Sequence, residues 1–138
     1  MTTDLVQLVR EGHAAFNDRD KDRLLSVIAD DATWHTPGNS PLAGTYKGRD
    51  QIWEQVFKPL WEQPGSLETH EVIATDRYVA STNEFVMKAE GDETRFAFLE
   101  LARIEDGKLV ERKAFVDEQT TFDQLIEQAA RQPASTGA

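Results

Sequence analysis

Apolar residues recur at helical spacing over the first part of the chain: Leu5, Leu8, Val9, Gly12, Ala15 and Phe16 would share one face of a helix covering the first 17 residues. Asn17-Asp18-Arg19-Asp20 breaks that pattern. Asp20 is placed to cap a second helix, and Asp22 to sit near its positive end. Leu24, Leu25, Val27 and Ile28 give this second helix an apolar stripe ending near Asp30. Residues 32–36 favour extended backbone, through Thr33, Trp34 and Thr36. A loop rich in Pro and Gly follows, from Pro37 to Gly48. Gly48-Arg49-Asp50 then opens a third helix with Ile52, Trp53, Val56, Phe57 and Leu60 on one stripe. Pro59 lacks an amide hydrogen and is expected to end or kink it.

After Gln63-Pro64-Gly65 the texture changes. Residues 67–74, 78–89, 94–104 and 109–116 are strand-like, separated by turns at Asp76-Arg77, Glu90-Gly91-Asp92 and Glu105-Asp106-Gly107-Lys108. Gly-containing turns between apolar runs mark hairpins, and hairpins in series make an antiparallel meander. A last helix is expected over residues 121–130, then a small, polar, disordered tail at 132–138. Helices first and long strands last is an α+β layout, with the sheet burying one face against the helices.

Length and charge narrow the picture. At 138 residues the chain suits one domain, taken as residues 1–131. A domain of this size buries roughly two-thirds of its unfolded surface. With no Cys there is no disulfide, thiol nucleophile or thiolate metal site. The formal net charge of −10 repels phosphate backbones, so nucleic acid is not an expected partner. No basic-then-apolar leader is visible at the N-terminus, and no run approaches the roughly 20 apolar residues of a membrane span. The expectation is a cytoplasmic protein without membrane contact.

Familiar reaction motifs are absent. There is no Gly-x-Ser-x-Gly elbow, no dinucleotide fingerprint and no His-Glu-x-x-His, and Lys47 precedes rather than follows the second glycine of Gly44 to Gly48. Neither a metal nor a cofactor is expected. What remains are polar residues inside apolar elements, where burial costs a few kcal/mol unless a partner is found. Trp34, His35 and Thr36 lie where a strand runs out into a loop. Either Trp34 and Thr36 face one way and His35 the other, or Pro37 breaks the phase. His35 can act as general acid or base, or sit hydrogen-bonded on the outer face. Glu100 falls in the most apolar strand, on one face with Phe96, Phe98 and Ala102. Desolvation there would raise its pKa and make it a proton donor or base; the alternative is an ion pair with Arg112 or Lys113. Glu84 carries the same ambiguity. Tyr46 can cover a pocket mouth, and Trp34, Trp53, Phe57, Phe98 and Phe115 can wall an apolar ligand. An antiparallel sheet with two partly apolar faces must cover both, so a homodimer through the outer sheet face is expected.

Several short motifs stand in a particular order: Asn17-Asp18-x-Asp20, Asp30-Asp31-Ala32-x-Trp34, Gly44-x-Tyr46-x-Gly48-Arg49, Asp106-Gly107-Lys108-Leu109-Val110, and then Asp117. In that order they resemble the SnoaL-like branch of the nuclear-transport-factor-two-like superfamily, home of polyketide cyclases and ketosteroid isomerase relatives. The resemblance implies a cone-shaped, strongly curved antiparallel sheet with three N-terminal helices on its concave face. It also implies a small-molecule pocket and cofactor-free acid/base chemistry beside a carbonyl of an apolar or polycyclic substrate. It makes Asp117 the first catalytic candidate, because an acidic residue there reaches the cavity in SnoaL-type cyclases. A non-catalytic ligand binder and a dimeric accessory protein are the alternatives. The ketosteroid isomerase machinery itself is not matched: Thr36 falls at the base position, and Gly12 or a neighbour where the helix-one Tyr belongs. The Asp-Arg-Asp set of limonene-epoxide hydrolases is not found either.

Overall fold

The computed structural model describes residues 2–38, 42–63, 65–89 and 91–116. Asp117, the helix expected over 121–130 and the tail at 132–138 lie outside the described residues.

Helix α1 spans Thr2–Asn17, α2 Lys21–Ser26, and a third helical stretch runs as α3 Arg49–Ile52, a π-helical turn Trp53–Phe57 and α4 Lys58–Trp61. Asp20 caps α2 by accepting the Arg23 amide at 3.2 Å. The strands are β1 Ile28–Thr36, β2 Gly44–Lys47, β3 Gly65–Ala74, β4 Tyr78–Ala89, β5 Asp92–Glu105 and β6 Lys108–Val116. They form one sheet in the order β2-β1-β6-β5-β4-β3. All neighbours are antiparallel except β1 and β6, which run parallel. No helix among the described residues is long and apolar enough to cross a membrane.

Two local expectations are corrected. The second helix stops at Ser26, not near Asp30, and β1 already begins at Ile28. Ile28, Ala32 and Trp34 are more useful as the buried face of a strand paired with β6 than as one more helical turn. Residues 44–47 are a strand rather than loop: Thr45 and Tyr46 pair with His35 and Trp34. Gly44 and Gly48, at φ 135° and 92°, enter and leave this short edge strand in conformations open to glycine.

Pro59 neither ends nor breaks the third helix, which continues to Trp61. A proline ring collides with the carbonyl four residues earlier, here Gln55. The turn containing that carbonyl is widened to π geometry, with the Lys58 amide bonding the Trp53 carbonyl.

Register shifts bend the sheet between Thr69 and Val72 in β3, between Ile28 and Thr33 in β1, and at Arg103/Ile104 in β5. The result is an α+β cone, open on one side, with α1 and the third helical stretch against its concave face. Phe16, Ile52, Val56, Phe57, Phe85, Phe96 and Ile104 are buried between the layers, each contributing roughly 1.5–3 kcal/mol on full burial. The Asn17 motif has a structural task. Its amide donates to the Leu67 carbonyl and accepts the Leu67 amide, both at 2.8 Å, fastening the end of α1 to β3.

Candidate functional site: a charged triad in an apolar cavity

Where helix and sheet do not quite meet, a cavity of about 120 Å³ remains. One water needs only roughly 10–15 Å³, so the space suits an organic ring. Its walls are almost wholly apolar, including Leu8, Phe16, Trp34, Phe57, Leu60 and Phe98. Into this surface project three ionisable side chains: His13, Glu100 and Arg112.

Each is placed by its element. His13 lies on the buried stripe of α1, four residues after Val9 and three before Phe16. Glu100 is the inward residue of β5, alternating with Phe98 and Ala102. Arg112 stands on β6, opposite Trp34 of β1 and Ala102 of β5. The side chains of His13 and Glu100 are 14 % and 8 % exposed, and that of Arg112 is 12 % exposed.

Glu100 accepts from both neighbours, from His13 Nε2 at 2.9 Å and from Arg112 Nε at 2.9 Å. His13 Nδ1 in turn meets the Thr69 hydroxyl at 2.6 Å. The Arg112 guanidinium lies over the Trp34 ring, 4.6 Å from its centroid, and Trp34 packs edge-on to Phe57. Burial opposes ionisation of Glu100, but the charges and hydrogen bonds of His13 and Arg112 outweigh it, so its pKa falls well below the usual carboxylate range. The sequence expectation of a raised pKa is thereby reversed, because desolvation acts here on a group with two cationic partners. The pairing with Arg112 was the alternative weighed for this residue.

The tautomer of His13 follows from this charge. A carboxylate can only accept, so Nε2 carries a hydrogen, and neutral His13 has its lone pair at Nδ1. The Thr69 hydroxyl can donate to that lone pair, or turn and accept when Nδ1 is protonated. Both charge states of His13 therefore fit without moving a heavy atom.

Of the residues singled out in sequence, Trp34, Thr36, Phe57, Phe98 and Glu100 line the cavity together. Strand phase sends His35 the other way, onto the outer face, where it meets Glu111 and Thr45 at 3.0 Å each. Glu84 is also on the outer face, bound to His70 at 3.0 Å and near Arg95 at 3.4 Å. Phe115 is exposed on that face. Trp53 packs edge-to-face against Trp61, with the Lys21 ammonium over its ring. Tyr46 is buried and donates its hydroxyl hydrogen to the Leu42 carbonyl at 2.8 Å. Asp117 is outside the described residues. His13, Thr69 and Arg112 as site members escaped sequence reasoning. A histidine at i+4 from Val9 and i−3 from Phe16, on the apolar stripe of α1, was the available signal for the first.

On the outer face Glu68, His70 and Glu84 hold ligating atoms within 4.8 Å of one another. Arg95 already fills the cation's place there, 2.8 Å from Glu68 and 3.4 Å from Glu84.

A curled sheet clasping helices around a largely apolar cavity that holds three ionisable side chains defines the α+β cone class. Within it, residues 9–112 match the SnoaL-like domain, and the chain belongs to that family. Among solved structures, a protein of unknown function with a cystatin-like fold from Xanthomonas campestris is 31% identical. The match covers 89% of this chain and 96% of that one, with a TM-score of 0.78. TerC, co-crystallised with polyporic acid, is 23% identical over 90% of this chain and 98% of its own, at a TM-score of 0.79. A putative ketosteroid isomerase from Kribbella flavida shares 18% identity over 85% of this chain and 80% of its own, at a TM-score of 0.67. The last two share the fold. No curated protein matches the sequence.

Proposed function

We propose that the protein is a cofactor-free enzyme of the isomerase or cyclase type, acting beside a carbonyl of an apolar substrate in this cavity. The observation that carries the reading is the His13–Glu100–Arg112 chain in an otherwise greasy wall, with Thr69 behind it on His13 Nδ1. A substrate carbonyl takes a free N–H of Arg112, which polarises the adjacent C–H bond. His13 Nδ1, released by the Thr69 hydroxyl, takes the proton while the C–H electron pair moves onto the oxygen as an enolate. Glu100 stays ionised and steadies the imidazolium, as an orienting carboxylate does. Returning the proton to another carbon gives isomerisation; attack of the enolate carbon on a second carbonyl gives ring closure.

The test is hydrogen–deuterium exchange at carbon, followed by NMR in D2O, over a panel of ring-sized ketones and 1,3-dicarbonyls. Protein-dependent exchange that Glu100→Gln weakens and His13→Gln abolishes is the expected result. A ligand that binds without exchange would instead support the non-catalytic binder. That second reading is favoured by one observation: both Glu100 oxygens and both His13 nitrogens already have partners.

As part of the same reading we propose a homodimer through the outer sheet face. Ile73, Leu99 and Phe115 are exposed there at 69%, 40% and 53%. Leu99 pairs directly with Phe115 across β5 and β6, and the patch continues to Ile73 through Ala80 and Leu101.

A further inference from the structure

The cavity wall is short of acceptors and has donors to spare. A guanidinium carries five N–H donors. Arg112 spends Nε–H on Glu100 at 2.9 Å, and one Nη1 hydrogen reaches the His35 carbonyl only at 3.4 Å. The second Nη1 hydrogen and both on Nη2 meet no acceptor among the described residues. Glu100 gives one oxygen to His13 and the other to Arg112 Nε, and meets neither Nη of the guanidinium. Thr36 supplies the hydroxyl of the lining.

The edge is also held still. Trp34 supports one face of the guanidinium, and Glu100 fixes Nε, so the plane and rotation of the fork are both set. A planar fork of this kind matches two oxygens that share a negative charge, and such bidentate pairs are both stronger and more directional than single bonds.

We propose that the pocket selects an apolar acid with a paired-oxygen head, a carboxylate or an enolised 1,3-dicarbonyl, received by the free edge of Arg112. The apolar body of the ligand fills the space among Leu8, Phe57, Leu60 and Phe98. This deepens the enzymatic reading and rests on its cavity being the ligand site. It also fits that chemistry: when a 1,3-dicarbonyl loses the proton between its carbonyls, the enolate formed is the two-oxygen head that the fork receives. The selection is local, because the net charge of −10 opposes the approach of any anion.

The experiment compares 2-naphthoate with 2-naphthamide, equal in shape and differing in charge, by calorimetry and tryptophan fluorescence at neutral pH. The expected result is at least tenfold tighter binding of the acid. Removing Arg112 alone would leave Glu100 short of a partner, so the variant is the double Glu100→Gln/Arg112→Gln, checked for folding by circular dichroism. In it the two ligands should bind within a factor of about two of each other. Equal binding to the unaltered protein would overturn the anchor while leaving the cavity as a ligand site. A preference for the acid that survives in the double variant would assign it to His13 and overturn the anchor likewise. Binding of neither ligand would remove both the anchor and the cavity reading.

Discussion

At the scale of single residues, the site is a balance of buried charges, and the balance has a sign. Glu100 has its pKa lowered to about 2 in the folded protein, because His13 and Arg112 outweigh the burial that would raise it. A carboxyl depressed in this way stabilises the fold fully above its unfolded pKa, and that contribution drains away as pH falls toward the folded value. Urea midpoints measured between pH 5 and pH 2.5 should therefore show the advantage of the native chain over Glu100→Gln shrinking as acid is added. A constant difference would show that Glu100 is not so held. Breaking the pair from the other side is harsher. Arg112→Met strands a buried carboxylate and is expected to cost about 3–5 kcal/mol. Adding Glu100→Gln to Arg112→Met should recover a measurable part of that loss.

At the scale of elements, close approach between layers sets what can change. Gly65 opens β3 directly beneath Phe85: a Cβ built there would lie 2.7 Å from Cζ of that buried ring. Gly65→Ala should thus destabilise by about 1–3 kcal/mol through overpacking, read from thermal or urea unfolding. The cap on α2 is milder, and Asp20→Ala should cost about 1 kcal/mol. That cap was legible in the sequence, as was the four-strand meander from β3 to β6, because turn glycines and alternating apolar runs act over a few neighbouring residues. Strand β2 was not, since four residues between glycines acquire strand character only by pairing with β1. Strand alternation grouped Glu100 with Phe96, Phe98 and Ala102 and offered Trp34 and His35 as opposite-facing. Which face is inner is decided only by packing, which puts Glu100 and Trp34 at the cavity and His35 against Glu111 outside. The network itself stayed hidden because His13 and Glu100 are 87 positions apart, and no local pattern records which helix face meets which strand.

At the scale of the whole molecule, one sheet has two faces with different tasks. The inner face is filled by helices and the cavity. The outer face carries Ile73, Leu99 and Phe115 amid ion pairs such as Arg95 with Glu68 and His35 with Glu111. An apolar island rimmed by charge suits a twofold contact with another copy of the chain. Sedimentation velocity should find a dimer that Phe115→Glu converts to monomer with unchanged circular dichroism. A monomeric unaltered protein would remove the dimer and leave the cavity reading intact.

The parallel pairing of β1 with β6 has a consequence for how the chain comes into being. Trp34 meets Arg112 across that seam, so the partner of an early strand is made among the last of the described residues. Sequence separation of that kind slows folding, because the intervening chain must be gathered first. On the ribosome, β1 emerges with one edge unclaimed and must wait for residues 108–116. Synthesis halted before then would release a fragment without its seam, open to chaperones and proteases.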